Sequence, residues 1–117
     1  MERLFFKSLC LDSTIKVMTM YKLTTDAQTD LIQIRQYTLS QWGSKQSELY
    51  LSELQQTITL LSEAPEMGKK RPDVSEDTFS FPHASHVIYY VFHTDYLLVF
   101  AVLHKSMVPN NHLEDRI

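Results

Sequence analysis

The side chains best suited to chemistry in this sequence are its histidines, His83, His86, His93, His104 and His112, with Lys105 directly after the fourth. Imidazole titrates near neutrality, so a histidine can move protons or ligate a metal. His83-x-x-His86 has no carboxylate or further donor at a metal-ligand interval, and the single cysteine, Cys10, excludes a cysteine-built zinc site. No metal is expected. His86 opens one apolar strand pattern and His104 ends the next, so the two should converge on one region of a sheet. General acid/base work there would need a substrate alongside and a second group of tuned pKa. A nucleophile elbow and both glycine-rich phosphate loops are missing, and two glycines could hardly build such loops. No cofactor is expected.

The elements that must position these histidines follow from hydrophobic spacing. Ser85 to His93 and Tyr96 to His104 read as two long strands joined by a two-residue turn at Thr94-Asp95. One parity of the first carries His86, Ile88, Tyr90 and Phe92, and the other carries Val87, Tyr89 and Val91. Both faces are apolar, so something must cover each. Phe79-Ser80-Phe81 is a short strand interrupted by Pro82, and Tyr21 to Thr24 is another at the start of the domain. Thr25-Asp26-Ala27-Gln28 has the form of a capping box. A helix should follow it, with Ala27, Leu31, Ile34, Thr38 and Trp42 as the buried stripe and Gly43 ending it in a left-handed conformation. Ser44 is placed to cap a second helix, whose stripe is Tyr50, Leu51, Leu54, Ile58 and Leu61, until Pro65 and Gly68 stop it. The charged, proline-containing segment 65–78 reads as a loop, Pro109 closes the last strand, and 110–117 is a polar tail with room for one helical turn.

The expected class is therefore α+β: an N-terminal strand, an α-helical hairpin, then a three-stranded antiparallel meander, all in one sheet. The hairpin covers one sheet face. The other must be shielded by loop and tail, or left as a groove for a partner segment. At 117 residues there is material for one core, which we place at 20–117. Residues 1–19 are read as an N-terminal extension, with Met18 or Met20 as an alternative start, and no signal peptide is expected there because Glu2, Lys7 and Asp12 interrupt its apolar residues.

Charge narrows the partners. Eleven basic against fourteen acidic side chains give a net charge of −3, and the only dense basic cluster is Lys69-Lys70-Arg71. Direct sequence-specific nucleic-acid binding is not expected from so acidic a chain. There is no apolar run of about 18 residues, so no membrane association is expected, and the lone cysteine suits the reducing cytoplasm.

The element order and several motifs together resemble the ParE branch of the RelE/ParE toxin superfamily over about Met20 to Arg116. The motifs are Tyr21-Lys22-Leu23-Thr24; Asp30-Leu31 with Ile34; Tyr37-Thr38 and Trp42-Gly43; Gln46, Tyr50 and Leu54; Pro65-Glu66-Met67-Gly68-Lys69; His86-Val87-Ile88-Tyr89-Tyr90; and Val102-Leu103-His104. The resemblance implies a cytoplasmic toxin of a bacterial toxin–antitoxin system. Such a protein is not an enzyme. It inhibits DNA gyrase, blocks replication, is neutralised by a cognate protein antitoxin and joins it in higher-order hetero-oligomers. On that basis Lys105, His112 and Arg116, with Lys69, Lys70 and Arg71 as a second patch, are the candidate gyrase contacts. Tyr50, Leu54, Tyr90 and Phe92 are the candidate antitoxin groove.

The alternative is the RelE branch, which shares the fold and cleaves messenger RNA on the ribosome. Its site would fall here on His86, His104 and Lys105. The sequence departs from that pattern, since His86 stands where a phosphate-binding arginine is expected and Ser106 follows Lys105. Without those cations the largest catalytic contribution, stabilisation of phosphorane charge, is missing. A second alternative is an inactive member that binds only its antitoxin.

Overall fold

In the computed structural model, which describes residues 21–107 together with Pro109, Leu113 and Arg116, the expected α+β order is found with one added strand. The elements are β1 (Tyr21–Leu23), α1 (Thr25–Trp42), α2 (Ser44–Glu63), a 3-10 turn (Pro65–Met67), β2 (Lys69–Lys70), β3 (Phe79–His83), β4 (His86–Phe92) and β5 (Leu97–His104). They build one sheet in the order β1-β5-β4-β3-β2. β1 runs parallel to β5, and the other pairs are antiparallel. The extension 1–19 and His112 lie outside the described residues.

Local chemistry explains the helix ends, with three departures from expectation. The cap of α1 is Thr24 and not Thr25: Thr24 is extended, and its Oγ1 accepts the Ala27 amide at 3.1 Å while Gln28 reaches back to the Leu23 carbonyl at 3.3 Å. Gly43 alone joins the helices. Its φ of 91° and ψ of 169° fall in a region essentially reserved for glycine, so it turns the chain with an extended ψ and not with the left-handed helical geometry expected. It serves as both the end of α1 and the start of α2, so Ser44 lies inside α2 and supplies no side-chain cap. Across the hairpin Thr38 Oγ1 and Ser47 Oγ meet at 2.6 Å, both buried.

The core lies between the hairpin and the sheet. Ala27, Leu31, Ile34, Tyr50, Leu54, Ile58 and Leu61 from the helices meet Ile88, Tyr90, Leu97, Val99 and Val102 from the strands. Trp42, expected in the buried stripe of α1, is instead 48% exposed at the last position of that helix and rests edge-on against Tyr50. A bulge in β5 changes the face pattern: Tyr89 pairs with Ala101 and Tyr90 with Val99, which leaves Phe100 as the extra residue. Phe100 and Ala101 thereby both join a second cluster with Tyr89, Leu103 and Leu113, flanked by Val74, Val87 and Val91. Loop and tail thus shield the second face. Leu113 is seated by a helical-turn bond from its amide to the Pro109 carbonyl at 2.9 Å.

Three strand details differ from the sequence expectation. β3 continues through Pro82 to His83, since β2 pairs only with Phe79 and Ser80 and Pro82 therefore sits on an open edge where no donor is needed. The segment 65–78 contains the 3-10 turn and β2 within what reads as loop, because a two-residue charged strand has no periodicity to detect. β5 starts at Leu97, with the His93 amide closing the Thr94-Asp95 turn onto the Tyr96 carbonyl at 2.8 Å.

Candidate functional site

Strand register gathers three histidines into a row. His83 of β3 lies opposite His86 of β4, and His86 lies opposite His104 of β5. Each imidazole has its own Nδ1 partner: Thr57 Oγ1 at 3.1 Å for His83, Tyr50 Oη at 2.7 Å for His86, and Ser106 Oγ at 2.8 Å for His104. The Ser106 amide also donates to His104 Nδ1 at 3.1 Å, which places the proton of neutral His104 on Nε2. Tyr50, held on α2, packs against both His83 and His86 with ring centroids 5.4 and 5.7 Å away, and His86 and His104 meet edge-on at 5.5 Å.

Burial decides the electrostatics of the row. His86 is buried, and desolvation lowers its pKa to about 4, with repulsion from His104 and His83 adding and Asp30 opposing. His83 is lowered chiefly by desolvation, against the attraction of Glu53. The Tyr50 phenol is raised, first by burial and then by Glu53, although a backbone bond from Ser85 opposes this. Near neutral pH the central imidazole is therefore uncharged. It cannot present a cation to a phosphate, which is the service that RNA cleavage would need at this position. His104 does converge on His86 as expected, while the Lys105 side chain is exposed and its amide donates to the Ser85 carbonyl at 2.8 Å.

At the opposite edge of β5 lies a group that the sequence reading missed. β1 covers β5 only from Leu97 to Val99, and beyond it α1 supplies a carboxylate in place of a strand. Asp30 Oδ2 accepts the Val102 amide at 2.9 Å and Arg116 Nη1 at 2.7 Å, and its Oδ1 accepts Arg116 Nη2 at 3.2 Å. Arg116 Nη1 also donates to the Phe100 carbonyl at 3.3 Å, with Asp26 3.8 Å from its Nε. The pair closes the free strand edge and ties down the tail. The available signal was Asp30 itself, a charged residue at a stripe position between Ala27 and Leu31.

The remaining sequence candidates separate by environment. Lys69, Lys70 and Lys105 are exposed cations. Arg71 is held by Asp73 at 2.9 Å, by Ser80 Oγ at 3.2 Å and against the Tyr89 ring at 5.4 Å, and Arg116 is held by Asp30, so neither guanidinium is presented freely. Of the groove candidates, only Phe92 is on the surface, at 45% exposure. Tyr50 and Leu54 of α2 and Tyr90 of β4 are buried where the hairpin packs on the sheet. Tyr90 donates its hydroxyl to the Pro65 carbonyl at 2.6 Å, and burial pushes its pKa up to about 12. Among the described residues no cluster of three or more His, Cys, Asp or Glu side chains is arranged to hold a metal, and no helix is long and apolar enough to cross a membrane.

Residues 21–109 match the family described as the ParE toxin of the type II toxin–antitoxin system parDE. The chain is 33% identical to Toxin ParE1 of Caulobacter vibrioides over 93 residues, covering 80% of this chain and 96% of that protein. It is 35% identical to Toxin ParE of Escherichia coli over 104 residues, covering 86% and 98%. Among solved structures it is similar to a chain of the chromosomal ParDE toxin–antitoxin system from P. aeruginosa, with a TM-score of 0.65 at 13% identity over 74% of this chain and 96% of the other. That likeness is one of fold.

Proposed function

Since the chain belongs to the ParE toxin family of type II toxin–antitoxin systems, we propose that it acts in the cytoplasm by inhibiting DNA gyrase and is neutralised by a cognate protein antitoxin. The observation that carries the choice of a protein-binding inhibitor over a ribonuclease is the state of His86. A ribonuclease of this fold would place a cation at the start of β4, whereas here a buried, uncharged imidazole is bonded to Tyr50. The candidate cations that face solvent freely, Lys69, Lys70 and Lys105, sit at the sheet edge and in the turn after β5. We assign them to the gyrase-facing surface. The tail contributes through its attachment by Arg116, and Phe92 is the position on β4 that an antitoxin segment could cover.

The test is a supercoiling reaction with purified gyrase, run beside a translation reaction scored for transcript cleavage. Inhibited supercoiling with intact RNA is the expected result, relieved by the antitoxin. Cleaved transcripts, lost on His86→Ala, would instead establish the RelE-type activity, and neither effect would leave an antitoxin-binding member only.

A further inference from the structure

The histidine row has a property that gyrase inhibition does not use. We propose that the cross-strand row His83–His86–His104 makes this fold acid-sensitive, so that protonating the row loosens the end of the sheet where the β3–β4 turn, α2 and the hairpin tip meet.

The geometry is what makes protonation unfavourable. Directly opposed side chains on neighbouring strands interact strongly, and like charges placed there repel. Here one residue, His86, has a potential like charge on both sides, His83 through the β3–β4 pair and His104 through the β4–β5 pair. The groups facing the row provide little compensation. From α2 come the neutral Tyr50 and Thr57, with Glu53 acting on His83 and Tyr50, and from α1 comes Asp30, already occupied by Arg116 and the Val102 amide. Ser106 beyond β5 is neutral, and its amide needs an unprotonated His104 Nδ1 as acceptor. Charging His104 therefore removes an acceptor as well as adding repulsion.

The consequence is local. Tyr50 joins His86 and the His83 carbonyl, and Trp42 rests on Tyr50, so the row supports both the tight turn at Ala84-Ser85, where Ala84 holds a φ of 52°, and the tip of the helical hairpin. In the unfolded chain the His83 and His86 imidazoles titrate normally. A group whose folded pKa lies below its unfolded value stabilises the fold above the unfolded pKa and loses that contribution as pH falls through the folded one. For His86 the window runs from about 6.5 down to about 4.

The experiment follows the imidazole resonances of the full chain by NMR from pH 8 to pH 4, with urea unfolding at pH 7.5 and pH 5, for the wild type, His83→Gln and His104→Gln. The flanking variants are used because His86 is central to the packing. The expected result is a His86 resonance titrating well below the ordinary range and moving upward by about half a unit in His104→Gln, the Coulomb interaction of unit charges at such a separation in a water-like dielectric. The wild type should lose more stability between the two pH values than either variant. A His86 that titrates near 6.5, or is unmoved in both variants, or a wild-type acid loss no greater than theirs, would overturn the proposal.

Discussion

Replacing Arg116 by alanine tests whether the tail cation is a partner contact or part of the fold. In the structure its guanidinium makes two bonds to Asp30, at 2.7 and 3.2 Å, and a third to the Phe100 carbonyl at 3.3 Å. The side chains of Arg116 and Asp30 are 19% and 8% exposed. Removing one partner of a fully buried pair costs about 3–5 kcal/mol, since the other charge is left uncompensated. Arg116 is only partly enclosed and water can enter its place, so we expect about 2–3 kcal/mol, well above the 0–1 kcal/mol of a surface ion pair. Asp30→Asn should cost less than Asp30→Ala, because the amide oxygen can still accept the Val102 N–H. The double variant Asp30→Asn, Arg116→Ala, which completes a cycle with the wild type, Asp30→Asn and Arg116→Ala, should then lose less than the sum of the single changes, by about 1–2 kcal/mol of coupling. Urea unfolding of the four proteins at neutral pH and constant salt measures the cycle. An Arg116→Ala loss below about 0.5 kcal/mol with additive single changes would refute the strand-edge role and return Arg116 to the free surface.

Further outcomes follow from the same packing. Gly68→Ala should destabilise by about 1–3 kcal/mol through overpacking, since a Cβ there would overlap Tyr90 Oη and lie 2.8 Å from its Cζ and 3.1 Å from the Ser80 carbonyl oxygen; a neutral result in thermal unfolding would place Tyr90 elsewhere. Leu54→Ala should cost about 2–5 kcal/mol as a cavity beneath the hairpin, whereas Leu60→Ala, at an exposed position, should stay within about 0.5 kcal/mol in the same urea assay. Lys105→Glu should leave stability within about 0.5 kcal/mol and weaken gyrase inhibition severalfold, so an unchanged supercoiling dose response would remove Lys105 from the gyrase-facing surface.

Much of this architecture is legible in one dimension because it rests on local rules. The 3.6-residue spacing of Tyr50, Leu54, Ile58 and Leu61 identifies α2, and all four are buried. The doubly apolar pattern of β4 correctly calls for cover on both faces, and the structure supplies two clusters. Gly43 announces the hairpin, as its positive φ requires. The family resemblance adds the order of these pieces, and the match over 21–109 agrees with it.

What stayed hidden depends on residues distant in sequence that meet only after folding. No pattern indicates that two lysines at 69–70 would pair with Ser80 and Phe79, or that Arg116 would cross 86 positions to reach Asp30. The groove candidates divide for a related reason: periodicity shows that Leu54 and Tyr90 are apolar-facing, but only the docking of the hairpin on the sheet buries both and leaves Phe92 exposed. The histidines show the division most clearly. Their types and strand positions determine that His86 and His104 can converge. Tertiary structure alone, through strand register and the burial beneath Tyr50, adds His83 to the row and leaves its centre uncharged, because desolvation is a property of the assembled site and not of the sequence.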